Sequence, residues 1–260
     1  MNEAKLITST ANPLIKDIKA LEMRKRRKET GLFVAEGLRT IIEGMELGAE
    51  LEIIAYLTTV KDRPEIAKAR DYAKTAIEVN EMVLEKISRK ENPQSVIGVF
   101  KQKFYSLENV KAEGIWVVLE EVRDPGNLGT IIRTIDSIGA KGVILIGNCC
   151  DPYSFESVRA TMGSIFLSPI ITATREEFMH WRESWNGQVI GTTLQDSKDY
   201  REIDYKDPLL LLMGNEQAGL TPELRTLCTD LIRLPMKGRA DSLNLSIATG
   251  IMLYMIEGRL

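Results

Sequence analysis

Three short polar segments hold the residues of this 260-residue chain whose types and spacing point most clearly to chemistry. The first is Asp124-Pro125-Gly126-Asn127-Leu128-Gly129, running on to Arg133. The second is Gly214-Asn215-Glu216-Gln217-Ala218-Gly219-Leu220. The third runs from Leu234-Pro235-Met236 to Ser242-Leu243-Asn244-Leu245-Ser246. An Arg grips phosphate bidentately, an Asn donates and accepts at once, and an ionised Glu accepts only. Glycine at 126 and 214 lets backbone N–H groups come close to a ligand. Taken singly, the first segment is weak evidence because a Gly-rich turn before a helix is common, while the second and third are less ordinary as capped turns. Together, each at the end of an apolar run, they occupy the place where open α/β folds put ligand and chemistry.

The elements that must position these segments are set by the hydrophobic pattern. Apolar runs at 115–120, 143–146, 189–193, 209–213 and 231–234 predict strands, with 165–170 a weaker sixth. Helices are expected at 129–138, 155–162, 175–185, 222–227 and 242–257. On this reading 124–129 is a tight turn before its helix. Asn244 and Ser246 then fall inside the last helix, where polar groups need a backbone or ligand partner. Continuous apolar strands between helices predict a mostly parallel sheet covered on both faces. The first hundred residues predict a smaller α/β unit. A helix opens at Pro13 and runs into a basic cluster; helices 38–47 and 64–73 alternate with strands 32–35, 51–57, 76–79 and 96–100. The organisation expected is 1–102, a polar linker 103–114, and 115–260.

Several function classes drop out. The single histidine, His180, lies in a segment that reads as an exposed helix, which disfavours His-dependent nucleophilic mechanisms. No Cys-x-x-Cys or His-x-x-x-His spacing exists, so no metal site is expected. Three cysteines, two of them adjacent (Cys149 and Cys150), make no disulfide framework. That predicts a reduced, cytoplasmic setting. No apolar run approaches membrane-spanning length and no secretory h-region is seen, so no membrane association is expected. A Gly-x-Gly-x-x-Gly fingerprint and a P-loop are both missing. The net charge of −3 hides one run, Arg24-Lys25-Arg26-Arg27-Lys28, with Lys16 and Lys19 upstream. Cations at a helix end complement its dipole. Five in a row exceed what capping needs and point to a nucleic-acid patch.

In this order and at these separations, the three segments resemble the signature motifs of the SpoU family of RNA ribose 2′-O-methyltransferases, in the SPOUT superfamily. The likeness runs from about 115 to 257. The first unit is similar, more loosely, to the small RNA-binding domain that precedes many such catalytic domains. The resemblance implies a C-terminal α/β domain with a mostly parallel sheet and a trefoil knot, a rare exception to unknotted topology. It implies S-adenosyl-L-methionine as methyl donor, an rRNA substrate with tRNA as the alternative, and a homodimer whose active site draws on both subunits. By position it assigns Arg133, Asn127, Glu216, Ser242 and Asn244 to catalysis. It assigns Thr192, Leu194, Gly214, Leu234, Met236, Leu243 and Asn244 to the cofactor. RNA would be met by Arg24, Lys25, Arg26, Arg27 and Lys28, together with Arg133. An Arg is a poor general base, because its pKa lies above about 12. Arg133 is therefore expected to grip a phosphate and place the ribose, with Asn127 and Glu216 orienting it. A non-catalytic RNA-binding protein of the same fold is the competing expectation.

Overall fold

The computed structural model describes residues 4–88 and 94–258. It divides into two compact units, one formed by residues 1–102 with 153–167, the other by 103–152 with 168–260.

In the first unit, strands β1 (Lys5–Ile7), β2 (Leu32–Glu36), β3 (Leu51–Leu57), β4 (Thr75–Val79) and β5 (Val96–Lys101) form one sheet, ordered β1-β4-β3-β5-β2. Strands β1 and β3 run parallel to β4, while β5 is antiparallel to both β3 and β2. Helices α1 (Pro13–Ala20), α2 (Arg24–Thr30), α3 (Leu38–Glu46), α4 (Pro64–Tyr72) and α5 (Glu81–Ser88) and a 3-10 turn, Thr58–Val60, accompany this sheet among the described residues before 103. The helix opening at Pro13 does not reach the basic cluster. It stops at Ala20, caps at Leu21, and a new helix starts at Arg24. Helix α5 has no counterpart among the elements expected from sequence, although Val83, Leu84 and Ile87 have helical spacing. Asn80 caps its start, accepting from Val83 N at 3.0 Å.

Residues 153–167 belong to the core of this unit. Helix α7 (Phe155–Thr161) packs Phe155 against it. Phe166 closes on Phe100 and Phe33 at centroid distances of 4.8 and 5.9 Å. The strand expected at 165–170 is instead a 3-10 turn, Ser164–Phe166, which lets Phe166 fill the space over Gly44.

In the second unit, β6 (Ile115–Glu120), β7 (Gly142–Ile146), β8 (Ile170–Ala173), β9 (Gln188–Thr192), β10 (Lys198–Asp199), β11 (Leu209–Met213) and β12 (Asp230–Arg233) form a seven-stranded sheet. The order is β10-β12-β9-β11-β6-β7-β8, with every pairing parallel. The central strands β6 and β11 are buried along their whole length, as strands covered on both faces require. Helices α6 (Pro125–Ile138), α8 (Arg175–Arg182), α9 (Pro222–Thr226) and α10 (Leu245–Ile256) belong here, and α10 packs on α6. The 103–114 segment, expected as a linker, carries a 3-10 turn at Leu107–Asn109. It packs Tyr105, Leu107 and Val110 on the core of the second unit.

Register brings the strand ends level. Met213 lies opposite Leu119, Leu212 opposite Gly191, and Thr192 opposite Ile232. The carboxyl ends of β6, β9, β11 and β12 therefore reach one edge together, and all three polar segments leave from it. No helix among the described residues is long and apolar enough to cross a membrane.

Candidate active site

The first segment is helical rather than a free turn. Asp124 is the N-cap of α6, its Oδ1 accepting from Asn127 N at 2.6 Å, and Pro125 occupies the first turn. Proline fits there because its missing N–H is one the helix leaves unbonded anyway. Asn127 thus sits in a rigid first turn with its side chain free to reach outward.

The third segment also differs from expectation. Asn244 is not inside α10; it is its N-cap, with Oδ1 accepting from Ser246 N at 3.0 Å, Ile247 N at 3.4 Å and Ser246 Oγ at 2.6 Å. That leaves the amide nitrogen available. Asn244 Nδ2 donates to Asn127 Oδ1 at 2.9 Å, and Asn127 Nδ2 donates to Glu216 Oε1 at 3.2 Å. One hydrogen-bonded chain, Asn244–Asn127–Glu216, joins the three segments across separations of 117 and 89 residues. Both amides are used at both ends, which fixes their orientation and commits Glu216 as acceptor.

The second segment is a closed turn. Asn215 Oδ1 accepts from Gln217 N at 2.9 Å and Ala218 N at 3.2 Å, and Gly219 N returns to Asn215 O at 2.9 Å. Gly219 has φ +67, a left-handed conformation suited to glycine. Gly214 is required by the loop itself. A Cβ there would lie 2.0 Å from Gly219 C and 2.1 Å from Leu220 N.

This loop separates two adjoining cavities. The first, of about 480 Å³, has Met213, Ile232 and Met252 among its apolar lining. Thr192, Leu194, Gly214, Leu234, Met236 and Leu243 all line it, as does Ser242. Leu194 and Leu243 remain 60% and 38% exposed at its rim, apolar surface that a ligand would cover. The second cavity, of about 630 Å³, is lined by Asn127, Glu216 and Asn244 with Arg123 and Arg175. Asn244, expected at the cofactor, therefore lies on the other side of the loop from the other six residues of that group.

A buried carboxylate ties the second cavity together. Glu120 ends β6 at 1% exposure. It accepts from Arg175 Nη2 at 2.8 Å, Thr221 N at 2.9 Å and Thr221 Oγ1 at 2.9 Å. The Arg175 guanidinium is held above its ordinary pKa, chiefly by this hydrogen bond. Sequence reading missed this group. A Glu closing the otherwise apolar run Ile115–Glu120 was a visible signal; its partners, 55 and 101 residues away, were not. The thiol of Cys150 is pushed up to about 12, chiefly by burial and then by the charges of Cys149, Asp124 and Glu216, which works against the thiolate a nucleophile needs.

Arg133 stands apart. It is exposed on α6, six residues beyond Asn127, or about 9 Å along the axis. It lines neither cavity. The basic run lies on α2 in the first unit, where Arg24, Lys25 and Lys28 are exposed. Lys25 and Arg26 pair with Glu29 at 4.0 and 3.6 Å, and Arg26 also reaches Asp17 at 3.5 Å. Arg27 contradicts the expectation of a five-residue RNA patch. It is 4% exposed, its Nη1 donating to Leu21 O at 2.7 Å and Glu22 O at 2.8 Å. Those carbonyls end α1, so Arg27 is a structural cap.

Against known proteins, a model described as the SpoU rRNA Methylase family matches residues 114–254. A second, described as an MRM3-like substrate binding domain, matches residues 12–98. The 23S rRNA (guanosine(2553)-2′-O)-methyltransferase of Bacillus subtilis is 30% identical over 256 residues, covering 98% of this chain and 100% of its own length. The 23S rRNA (uridine(2479)-2′-O)-methyltransferase of Streptomyces viridochromogenes is 31% identical over 245 residues, covering 89% of this chain and 84% of its own. Among solved structures, an AdoMet-bound rRNA methyltransferase from Sinorhizobium meliloti superposes with TM-score 0.92 at 47% identity, over 99% of this chain and 98% of that one. The matched region contains all three loops and both cavities, and a relative aligns end to end. The chain belongs to the SpoU rRNA methylase family.

Proposed function

We propose that this protein transfers a methyl group from S-adenosyl-L-methionine (AdoMet) to a ribose 2′-hydroxyl of large-subunit rRNA. The observation that carries this reading is the Asn244–Asn127–Glu216 chain, which lines the second cavity beside the first. The relatives named above act on 23S rRNA at 2′-oxygens, and the Sinorhizobium structure holds AdoMet.

The cofactor fits the first cavity. Its volume falls within the range of ordinary small-molecule sites, about 300–1,000 Å³. An apolar floor for adenosine and exposed rim leucines complete it. Thr192, Leu194, Gly214, Leu234, Met236 and Leu243 would hold the cofactor, which when bound supplies an electrophilic methyl on a sulfonium. The protein's own task is then alignment. Asn127 and Asn244 fix Glu216 at the boundary of the two cavities, where an acceptor-only carboxylate can hold a hydroxyl hydrogen. Glu120 fixes Arg175 and the start of α9, so the loop between the cavities keeps its shape. Arg133 carries a planar guanidinium fork suited to the neighbouring phosphate. Its exposed place outside both cavities of its own chain favours a homodimer in which Arg133 completes the partner's site. The same reading includes a trefoil-knotted path through the C-terminal loops and a cytoplasmic location. Arg24, Lys25 and Lys28 supply phosphate affinity without reading sequence.

The test is transfer of a labelled methyl from AdoMet to total RNA from cells lacking the protein, with the RNA separated by size. Label confined to large-subunit rRNA or its assembly particles is expected. Label in tRNA alone would overturn the substrate, and no label in any fraction would revive a non-catalytic RNA-binding role.

A further inference from the structure

We propose that Arg225, held by Gln195, is the carboxylate-binding end of the first cavity and selects ligands carrying an intact amino-acid tail. This rests on the cofactor reading above and adds a residue to it.

Arg225 lies on α9 and lines the first cavity, as does Gln195 on the loop after β9. Its Nη1 donates to Gln195 Oε1 at 2.6 Å. Its Nε is buried and has no hydrogen-bond partner. Among the described residues no carboxylate pairs with it. A guanidinium taken partly out of water with only a neutral amide for company is uncommon, because a desolvated charge is costly until a counter-charge meets it. Here the guanidinium borders a cavity, so a ligand can supply that counter-charge.

Among the described residues, two other arginines share a buried Nε without a partner, Arg70 and Arg182. Arg182 spends its Nη groups on the carbonyls of Trp185 and Leu227, and Arg70 lies over the Tyr56 ring. Neither lines the cavity. Arg233 does line it, but is exposed and reaches Ser197 Oγ at 3.5 Å. Among the described residues, Arg225 alone combines cavity position, partial burial and a missing counter-ion. The ligand class it selects is an α-carboxylate, and the Arg–carboxylate fork makes the contact directional. Gln195 acts as a positioning residue, since its amide oxygen fixes how the fork is turned.

Calorimetric titration of the full chain tests this with three probes: AdoMet, decarboxylated AdoMet, and 5′-methylthioadenosine. Wild type should bind AdoMet about tenfold or more tighter than its decarboxylated form, the size of a charge-assisted contact. Arg225→Gln should close most of that gap and leave 5′-methylthioadenosine affinity unchanged. Gln195→Leu, at an exposed position, should narrow the gap in part and serves if Arg225→Gln does not fold. An equal AdoMet preference in wild type and both variants, or no preference in wild type, overturns the proposal. If wild type binds neither AdoMet nor 5′-methylthioadenosine, the cofactor reading itself fails and the proposal with it.

Discussion

Asn244 does two separable jobs with one amide: its oxygen caps α10 and its nitrogen reaches Asn127. Asn244→Ala removes both, and losing such a cap costs about 1 kcal/mol. Asn244→Asp keeps the capping oxygen but sets a carboxylate against Asn127 Oδ1. Its thermal midpoint should stay close to wild type while methyl-transfer turnover falls about 100-fold, as misplacement near the reacting groups costs. Wild-type turnover in Asn244→Asp would show that the amide chain is structural only. At this scale the sequence was informative about residue types and incomplete about partners. Asn127, Glu216 and Asn244 were identifiable because polar groups at the ends of apolar runs are unusual. Their mutual hydrogen bonds, and the hold of Glu120 on Arg175 and Thr221, span too many residues for local pattern to reveal. Arg27 misled for the opposite reason, since a basic run does not show which member points inward to cap a neighbouring helix.

The loop from Gly214 to Leu220 is the element on which both cavities depend. Gly214→Ala would place a methyl 2.0 Å from Gly219 C, and backbone atoms cannot yield as a flexible side chain does. Overpacking of this kind costs about 1–3 kcal/mol. The variant should lose cofactor affinity in calorimetry together with several degrees of thermal midpoint; undiminished affinity would place the ligand elsewhere. Strand positions were readable here because β6, β9 and β11 are apolar and bounded by glycine, proline or charge. Element boundaries were less so. Pro125 opens α6, so a turn and a first helical turn carry the same residues there. The apolar stretch near Ile165 is too short to reveal its period, and its role was decided by the aromatic cluster Phe166 joins.

Across the whole molecule, charge and burial set two properties. Burial, the leading cause, raises the thiol of Cys149 to about 11 and those of Cys150 and Cys228 to about 12. Unfolded thiols ionise near about 8.5. Folded values above unfolded ones mean that this contribution is whole below the unfolded value and is lost as pH rises toward the folded ones. Thermal midpoints should therefore fall between about pH 9 and pH 11, and folded protein at about pH 8 should resist alkylation at all three cysteines. Rapid alkylation of the native protein would contradict the burial of Cys149 and the partial burial of Cys150 and Cys228. Replacing Arg24, Lys25 and Lys28 with Gln should weaken RNA binding and reduce the salt slope by about 2, at about 0.7 per phosphate contact for single-stranded RNA. Cofactor affinity should not change, because these side chains belong to the first unit and the first cavity is built wholly from the second. The parallel sheet was predictable at this scale from uninterrupted apolar strands. The return of residues 153–167 to the first unit was not, because an excursion of the chain between units leaves no local mark. The most direct test of the account is the linkage formed when labelled methyl is transferred to RNA. Label retained in alkali-resistant dinucleotides is the predicted result, because a methylated 2′-oxygen cannot attack its neighbouring phosphate. Label released in ordinary mononucleotides would place the methyl on a base and contradict ribose transfer at this site.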